Sequence, residues 1–294
     1  MITKALGNRI FDFFNILLLL LIVVICIYPF YYVLIYSISD PTAVAQGIFL
    51  KPAGFNLDTY NSILALPNMI NSFLISMGRT VIGSLLTIAC CSLFAYLLSK
   101  ENMLFRKFVY RMMVITLYIN AGLIPWYITM KMLHLNNNFL LYVLPTAVSG
   151  FFVILLKTYI EQLPAALEES AMMDGAGYLT LFVRIIFPLC KPIVATVAIF
   201  AAVGQWNTWM DNYFLVQNQS LKTMQLTLYE YLSSANALAT MSASDITKNA
   251  QKFVITPESI KMSTTMIVTL PILLVYPFLQ RYFVKGIMLG AIKG

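Results

Sequence analysis

Six apolar runs of bilayer length govern what this chain can fold into. They cover about Phe13–Ser37, Phe73–Leu98, Phe108–Met130, Phe139–Tyr159, Ile186–Trp206 and Thr264–Phe283. Each is close to the roughly 20 apolar residues that cross a hydrocarbon layer as a helix. In lipid, a segment must satisfy its own backbone polar groups, and an α-helix does so. The expectation is an all-α membrane protein with six transmembrane helices. Composition agrees: the 294 residues are 60% hydrophobic and 11% charged, where soluble domains run at about 45–50% and about 25%. The first run is too long for a signal peptide and has no small-residue cleavage site after it. Tyr28, Pro29, Phe30, Tyr31 and Tyr32 carry it on to an aromatic exit, so it reads as an uncleaved helix.

The net charge of +7 is spread between the apolar runs. That argues for membrane orientation and against nucleic-acid binding, which needs a basic face. With the N-terminus in the cytoplasm, Lys4, Arg9, Lys100, Arg106, Lys107, Arg111, Lys157, Arg184, Lys191, Arg281, Lys285 and Lys293 fall in or near cytoplasmic segments. Both termini are therefore expected inside a bacterial cell membrane, with Ile38–Ser72 and about 207–263 outside. Arg79 breaks the pattern. It lies inside the second span, and either snorkels outward or pairs with a group in a partner chain. No soluble-domain boundary or repeat interrupts the chain, so 1–294 reads as one membrane domain.

Four cysteines (Cys26, Cys90, Cys91, Cys190) and one histidine (His134) offer no metal-ligand spacing, and the cysteines read as small packing residues. No catalytic constellation is present. All twelve acidic residues lie outside the six runs or at their edges, so an ion-coupled relay has no residues to use. A phosphate-binding G-x-x-x-x-G-K-[ST] loop is also missing. An active transporter built this way needs ATP and Mg on a separate polypeptide. A stand-alone secondary transporter or channel for small polar solutes, or a membrane scaffold, is the alternative that these negatives leave open.

The most informative segment lies between the fourth and fifth runs, at about 161–188. Pro164 suits a first helical turn. At 100° per residue, Leu163, Ala166, Leu167, Ser170 and Ala171 share one face; Ala165, Glu168, Glu169 and Met172 share the other. The outward face presents Met172 between two carboxylates. Gly175 suits a helix stop with positive φ, and Asp174 suits a cap on the following helix. By physics alone this is an amphipathic connector. The stretch Glu169-Ser170-Ala171-Met172-Met173-Asp174-Gly175, continuing through Ala176 and Gly177, resembles the EAA loop of ABC import permeases, with serine for the first alanine. Three further segments strengthen the likeness: Trp206–Asp211, Leu221–Leu226, and Tyr276–Gly286 with Gly290–Gly294. Together they are similar to the MalG-like second permease of maltose-type oligosaccharide importers.

That resemblance implies a type I ABC importer transmembrane domain with a cytoplasmic coupling helix. Glu168, Glu169, Ser170, Ala171, Met172, Asp174, Gly175, Ala176 and Gly177 then form the ATPase-coupling site. Expected partners are a second homologous permease, two copies of an ABC ATPase, an extracellular sugar-binding lipoprotein, an oligosaccharide and membrane lipid. This chain itself binds no cofactor. Sugars are held by aromatic faces and amides, which makes Tyr118, Asn120, Trp126, Trp206, Asn207 and Trp209 the candidate pathway residues. An interfacial aromatic belt and interhelical hydrogen bonding explain the same residues without a substrate. The outer segment at about 207–263 is the expected contact for the binding protein.

Overall fold

The computed structural model describes residues 6–44, 47, 50–239 and 256–291. The helices, in chain order, are α1 (Leu6–Ser37), α2 (Pro41–Val44), α3 (Asp58–Leu64), α4 (Met69–Ser99), α5 (Arg106–Tyr118), α6 (Leu123–Met132), α7 (Leu140–Val143) and α8 (Gly150–Ile160). They continue with α9 (Ala166–Met173), α10 (Tyr178–Leu181), a π-helical turn (Phe182–Ile186), α11 (Phe187–Leu189), α12 (Lys191–Asn207), α13 (Met210–Leu215), a 3₁₀ turn (Gln219–Leu221), α14 (Met224–Ala239) and α15 (Pro257–Ala291). The described residues form no strand.

Among the described residues, three helices are long and apolar enough to cross a membrane: Phe11–Ser37, Met69–Ser99 and Pro257–Val275. The pair Tyr178–Leu189 and Lys191–Asn207 adds a fourth if its 81° bend is taken within one span. The third and fourth apolar runs are not the continuous helices expected from their hydropathy. The third breaks at 119–122 between α5 and α6, where Gly122 adopts φ +79°. Pro125 follows in the first turn of α6, where a missing N–H does no harm. The fourth breaks at 144–149 between α7 and α8. Hydropathy reports that a segment is apolar, whereas a break depends on neighbours that re-satisfy the freed backbone groups. At 144–149 those neighbours are visible. Thr87 Oγ1 donates to Thr146 O at 3.0 Å, and Ser149 N donates to Cys91 Sγ at 3.3 Å.

The chain divides into two compact units. The first comprises 1–67 and 229–271. In it, α1 exposes nearly every side chain from Phe11 to Phe30, as a lipid-facing helix does. After α1 the backbone folds back on itself. Asp40 N donates to Ala53 O at 3.0 Å and Asn56 N to Ile38 O at 2.9 Å, while Tyr60 donates to Ser37 Oγ at 2.7 Å.

The second unit comprises 68–228 and 272–294. Its axis is α4, flanked by α8 and α12. A core of Cys91, Ala95, Tyr96, Leu98, Val153, Leu156, Leu181, Ile186 and Val197 lies around the C-terminal half of α4. A second cluster, with Leu141, Tyr142, Val143, Leu215 and Val216 at its centre, gathers α6, α7 and α13. Gly83 on α4 leaves room for the Gln205 side chain of α12: a Cβ there would stand 2.6 Å from Gln205 Nε2.

Candidate functional site

α9 is eight residues long and buries none of them fully. Its end is a Schellman motif. Ala176 N donates to Ala171 O and Gly175 N to Met172 O, both at 3.0 Å. Gly175 sits at φ +82°, a conformation that costs an L side chain and not glycine. Ala171 and Ala176, paired by that motif, rest against the α4 core together with Leu163. Met172 is 40% exposed and Met173 88%. Glu169, Ser170, Asp174 and Gly177 are exposed too, and Ser170 donates back to Ala166 O at 2.8 Å.

Two details differ from the helical-wheel expectation. Ala166, Leu167 and Ser170 are exposed, while Glu168 turns inward. Its carboxylate pairs with the Lys100 ammonium at the end of α4. The helix is thus rotated by an ion pair that a wheel drawn on hydrophobicity does not contain. Asp174 does not cap the next helix either. The N-cap of α10 is Gly177, with no side-chain cap, because the Schellman motif spends residues 174–176 on ending α9.

A second polar centre surrounds Arg79, ten residues into α4 and only 1% exposed. Its guanidinium neither snorkels nor waits for another chain. Nε donates to Gln205 Oε1 at 2.9 Å, and Nη1 donates to Thr208 O at 3.1 Å and Asp211 Oδ1 at 3.0 Å. Nη2 donates to Asp211 Oδ2 at 2.5 Å. The charged fork also lies 4.8 Å from the Tyr142 ring centroid. Around it, Tyr142 donates to Leu221 O at 2.8 Å, Gln205 Nε2 donates to Thr146 Oγ1 at 2.6 Å, and Asn212 Oδ1 accepts from Thr223 N at 3.0 Å. A bidentate carboxylate, an amide, a carbonyl and a ring face meet the guanidinium on all sides, as a buried charge requires. Asp211 completes this centre without a local motif of its own. The available signal was Arg79 itself, since an arginine inside a span demands a carboxylate.

The six candidate pathway residues do not form one surface. Trp206 is 4% exposed and meets Phe73 edge-on at 6.2 Å. Trp126 is half-buried against the cluster around Tyr142, and Trp209 is half-buried with its ring 5.9 Å from Tyr213. Asn207 is exposed, and its amide donates to Val203 O at 3.0 Å. Tyr118, 84% exposed, and Asn120 stand together at the break in the third run. Asn120 Oδ1 accepts from Gly122 N at 2.9 Å, so this amide stabilises the break instead of taxing a helix. In the segment expected outside, residues 240–255 lie beyond the described ones. Among the described residues no group of three or more His, Cys, Asp or Glu side chains forms a metal site.

Residues 90–289 match the family described as "Binding-protein-dependent transport system inner membrane component". Protein LplC of Bacillus subtilis (strain 168) is 35% identical, over 99% of this chain and 97% of its own. The polygalacturonan/rhamnogalacturonan transport system permease protein YtcP of the same organism is 33% identical, over 98% and 99%. Among solved structures, a chain of a bacterial ABC transporter involved in the import of the acidic polysaccharide alginate superposes with a TM-score of 0.82. It is 27% identical, with 96% of this chain and 100% of that chain covered. The chain therefore belongs to the binding-protein-dependent transport system inner membrane component family and is a membrane-embedded permease subunit with the type I ABC importer fold.

Proposed function

We propose that this permease imports oligosaccharides delivered by an extracellular sugar-binding lipoprotein. It does so with a second homologous permease and two copies of an ATPase that bind ATP and Mg. The observation that carries the coupling half of this reading is α9. It is a short helix with an exposed methionine pair, fixed at its C-terminus by a positive-φ glycine and sited where the EAA-like sequence lies. An apolar knob outside the bilayer, next to the Glu169 carboxylate, suits a cleft on another protein. In this reading Met172 enters the ATPase and Glu169 meets basic groups at the cleft rim. Glu168 instead holds the helix to its own chain.

Residues 1–294 then make one permease domain with six crossings, the third and fourth interrupted and the fifth bent at Cys190, and with both termini and α9 in the cytoplasm. The break at 119–122 supports a pathway position for Tyr118 and Asn120, because exposed irregular backbone at bilayer depth is tolerated where it lines water or protein. Asp211, the acidic side chain nearest to a relay position, is held by Arg79. That favours ATP over an ion gradient as the energy source. Relatives named for polygalacturonan and alginate direct the first substrate screen to uronic-acid oligosaccharides.

The test is co-purification of the ATPase with Met172→Asp, which puts a charge in the apolar contact. The variant is expected to insert normally and to lose the ATPase. Retention of stoichiometric ATPase would show that α9 is only a connector.

A further inference from the structure

α9 has two routes by which a displacement can reach the membrane. One is the chain itself, through Gly175 and Gly177 into α10. That route is thinly packed: a Cβ built at either glycine meets no heavy atom within 4 Å. From the side the link is braced by the small side chain of Ala176, which rests with Ala171 against the α4 core. The other route is the contact of Glu168 with Lys100. Lys100 directly follows Ser99, the last residue of α4. The two side chains are only 22% and 18% exposed, so water and salt screen the pair less than a surface one. The Lys100 ammonium also lies 4.3 Å from the Tyr96 ring centroid. Tyr96 is buried and meets the Phe182 ring at 5.2 Å. Its ring face is a platform for the cation. The end of α4 is braced further by Arg106, which donates to Leu98 O at 2.7 Å and to Glu161 at 2.8 Å.

We propose that the Lys100–Glu168 pair, backed by the Tyr96 ring, is a strut that makes α9 and α4 move as one body. Motion imposed on α9 then travels along α4, the 31-residue helix that carries Gly83 and Arg79, as well as through the bend into α12. Lys100 and Glu168 are positioning residues for coupling. The proposal rests on the reading that α9 docks on the ATPase.

The strut is tested by electron–electron double resonance on the assembled complex, with nitroxides at Leu97 and Leu167, which are 42% and 41% exposed. Spectra are taken with and without Mg-ATP and vanadate. The wild-type pair is expected to give one narrow distance that the nucleotide does not change. Lys100→Met and Glu168→Gln are expected to retain the ATPase but to give a broadened, nucleotide-dependent distance. The exchanged pair, Lys100→Glu with Glu168→Lys, is expected to restore the narrow one. Tyr96→Phe keeps the ring and is expected to match wild type. A nucleotide-dependent distance in the wild type, or a wild-type distribution in Lys100→Met, overturns the strut. The docking reading fails separately: Met172→Asp that still holds the ATPase refutes it whatever the labels report.

Discussion

Replacing Arg79 by methionine keeps most of the side-chain volume and removes the charge. The Asp211 carboxylate, 10% exposed, then keeps the backbone N–H of Asn212 at 2.8 Å and loses both guanidinium bonds. Gln205 Oε1 and Thr208 O each lose the donor that Arg79 supplied. Removing one partner of a buried ion pair typically destabilises by about 3–5 kcal/mol, because the remaining charge stays desolvated. Charge-assisted hydrogen bonds at about 1.5–3 kcal/mol each reach the same range with two bonds lost to Asp211. Arg79→Met is thus expected to destabilise the chain by about 4 kcal/mol, or on the order of 10 °C in apparent Tm. The double variant Arg79→Met/Asp211→Asn leaves no unpaired charge and is expected to recover at least half of the loss. Arg79→Lys keeps a charge but not the fork geometry and falls between. The assay is thermal unfolding of the detergent-purified chain followed by size-exclusion chromatography. Equal losses in the single and double variants, or a loss below about 1 kcal/mol in Arg79→Met, would refute a buried pair as the source of the stability.

Gly83→Val is expected to displace Gln205 and to reproduce part of the Arg79→Met loss, since the first added carbon already falls 2.6 Å from Gln205 Nε2; unchanged Tm would show that α12 yields freely. Gly175→Leu forces a branched side chain into φ +82° and is expected to lower sugar-stimulated ATP hydrolysis at least about fivefold while insertion stays normal; full stimulation would remove the Schellman end from the coupling machinery. For topology, a single cysteine at Lys107 is expected to resist an impermeant thiol reagent added to whole cells, and one at the exposed Gln219 to react. The reverse pattern would invert the orientation. Transport by the assembled importer is expected to persist when proton and sodium gradients are collapsed with ATP maintained, and uptake by the isolated chain on an ion gradient would contradict the reading.

Much of the segment at 161–188 is legible in the sequence because its signals are local. A stop at Gly175 and an exposed Met172 follow from propensity and periodicity over about a dozen residues, while the helix starts at Ala166, so that Pro164 precedes its first turn. The rotation of α9 is not legible. Glu168 and Lys100 are 68 residues apart, and nothing near either names the other. The same limit governs the pathway candidates. Trp206 and Trp126 qualify by residue type, yet the fold gives them core neighbours in Phe73 and the Tyr142 cluster.

The sequence by itself determined the membrane class, the helical architecture and the place of the amphipathic loop, because lipid leaves a backbone few options and hydropathy is written residue by residue. Only the tertiary structure decided which apolar runs stay whole. α4 runs unbroken through a buried arginine because Gln205 in the last turn of α12, and Thr208 and Asp211 just beyond it, converge on that charge. The fourth run breaks because Thr87 and Cys91 on α4 satisfy the backbone that the break releases. In both cases the energy of a local conformation is settled by groups more than 50 residues away, and their position is a property of the packed chain.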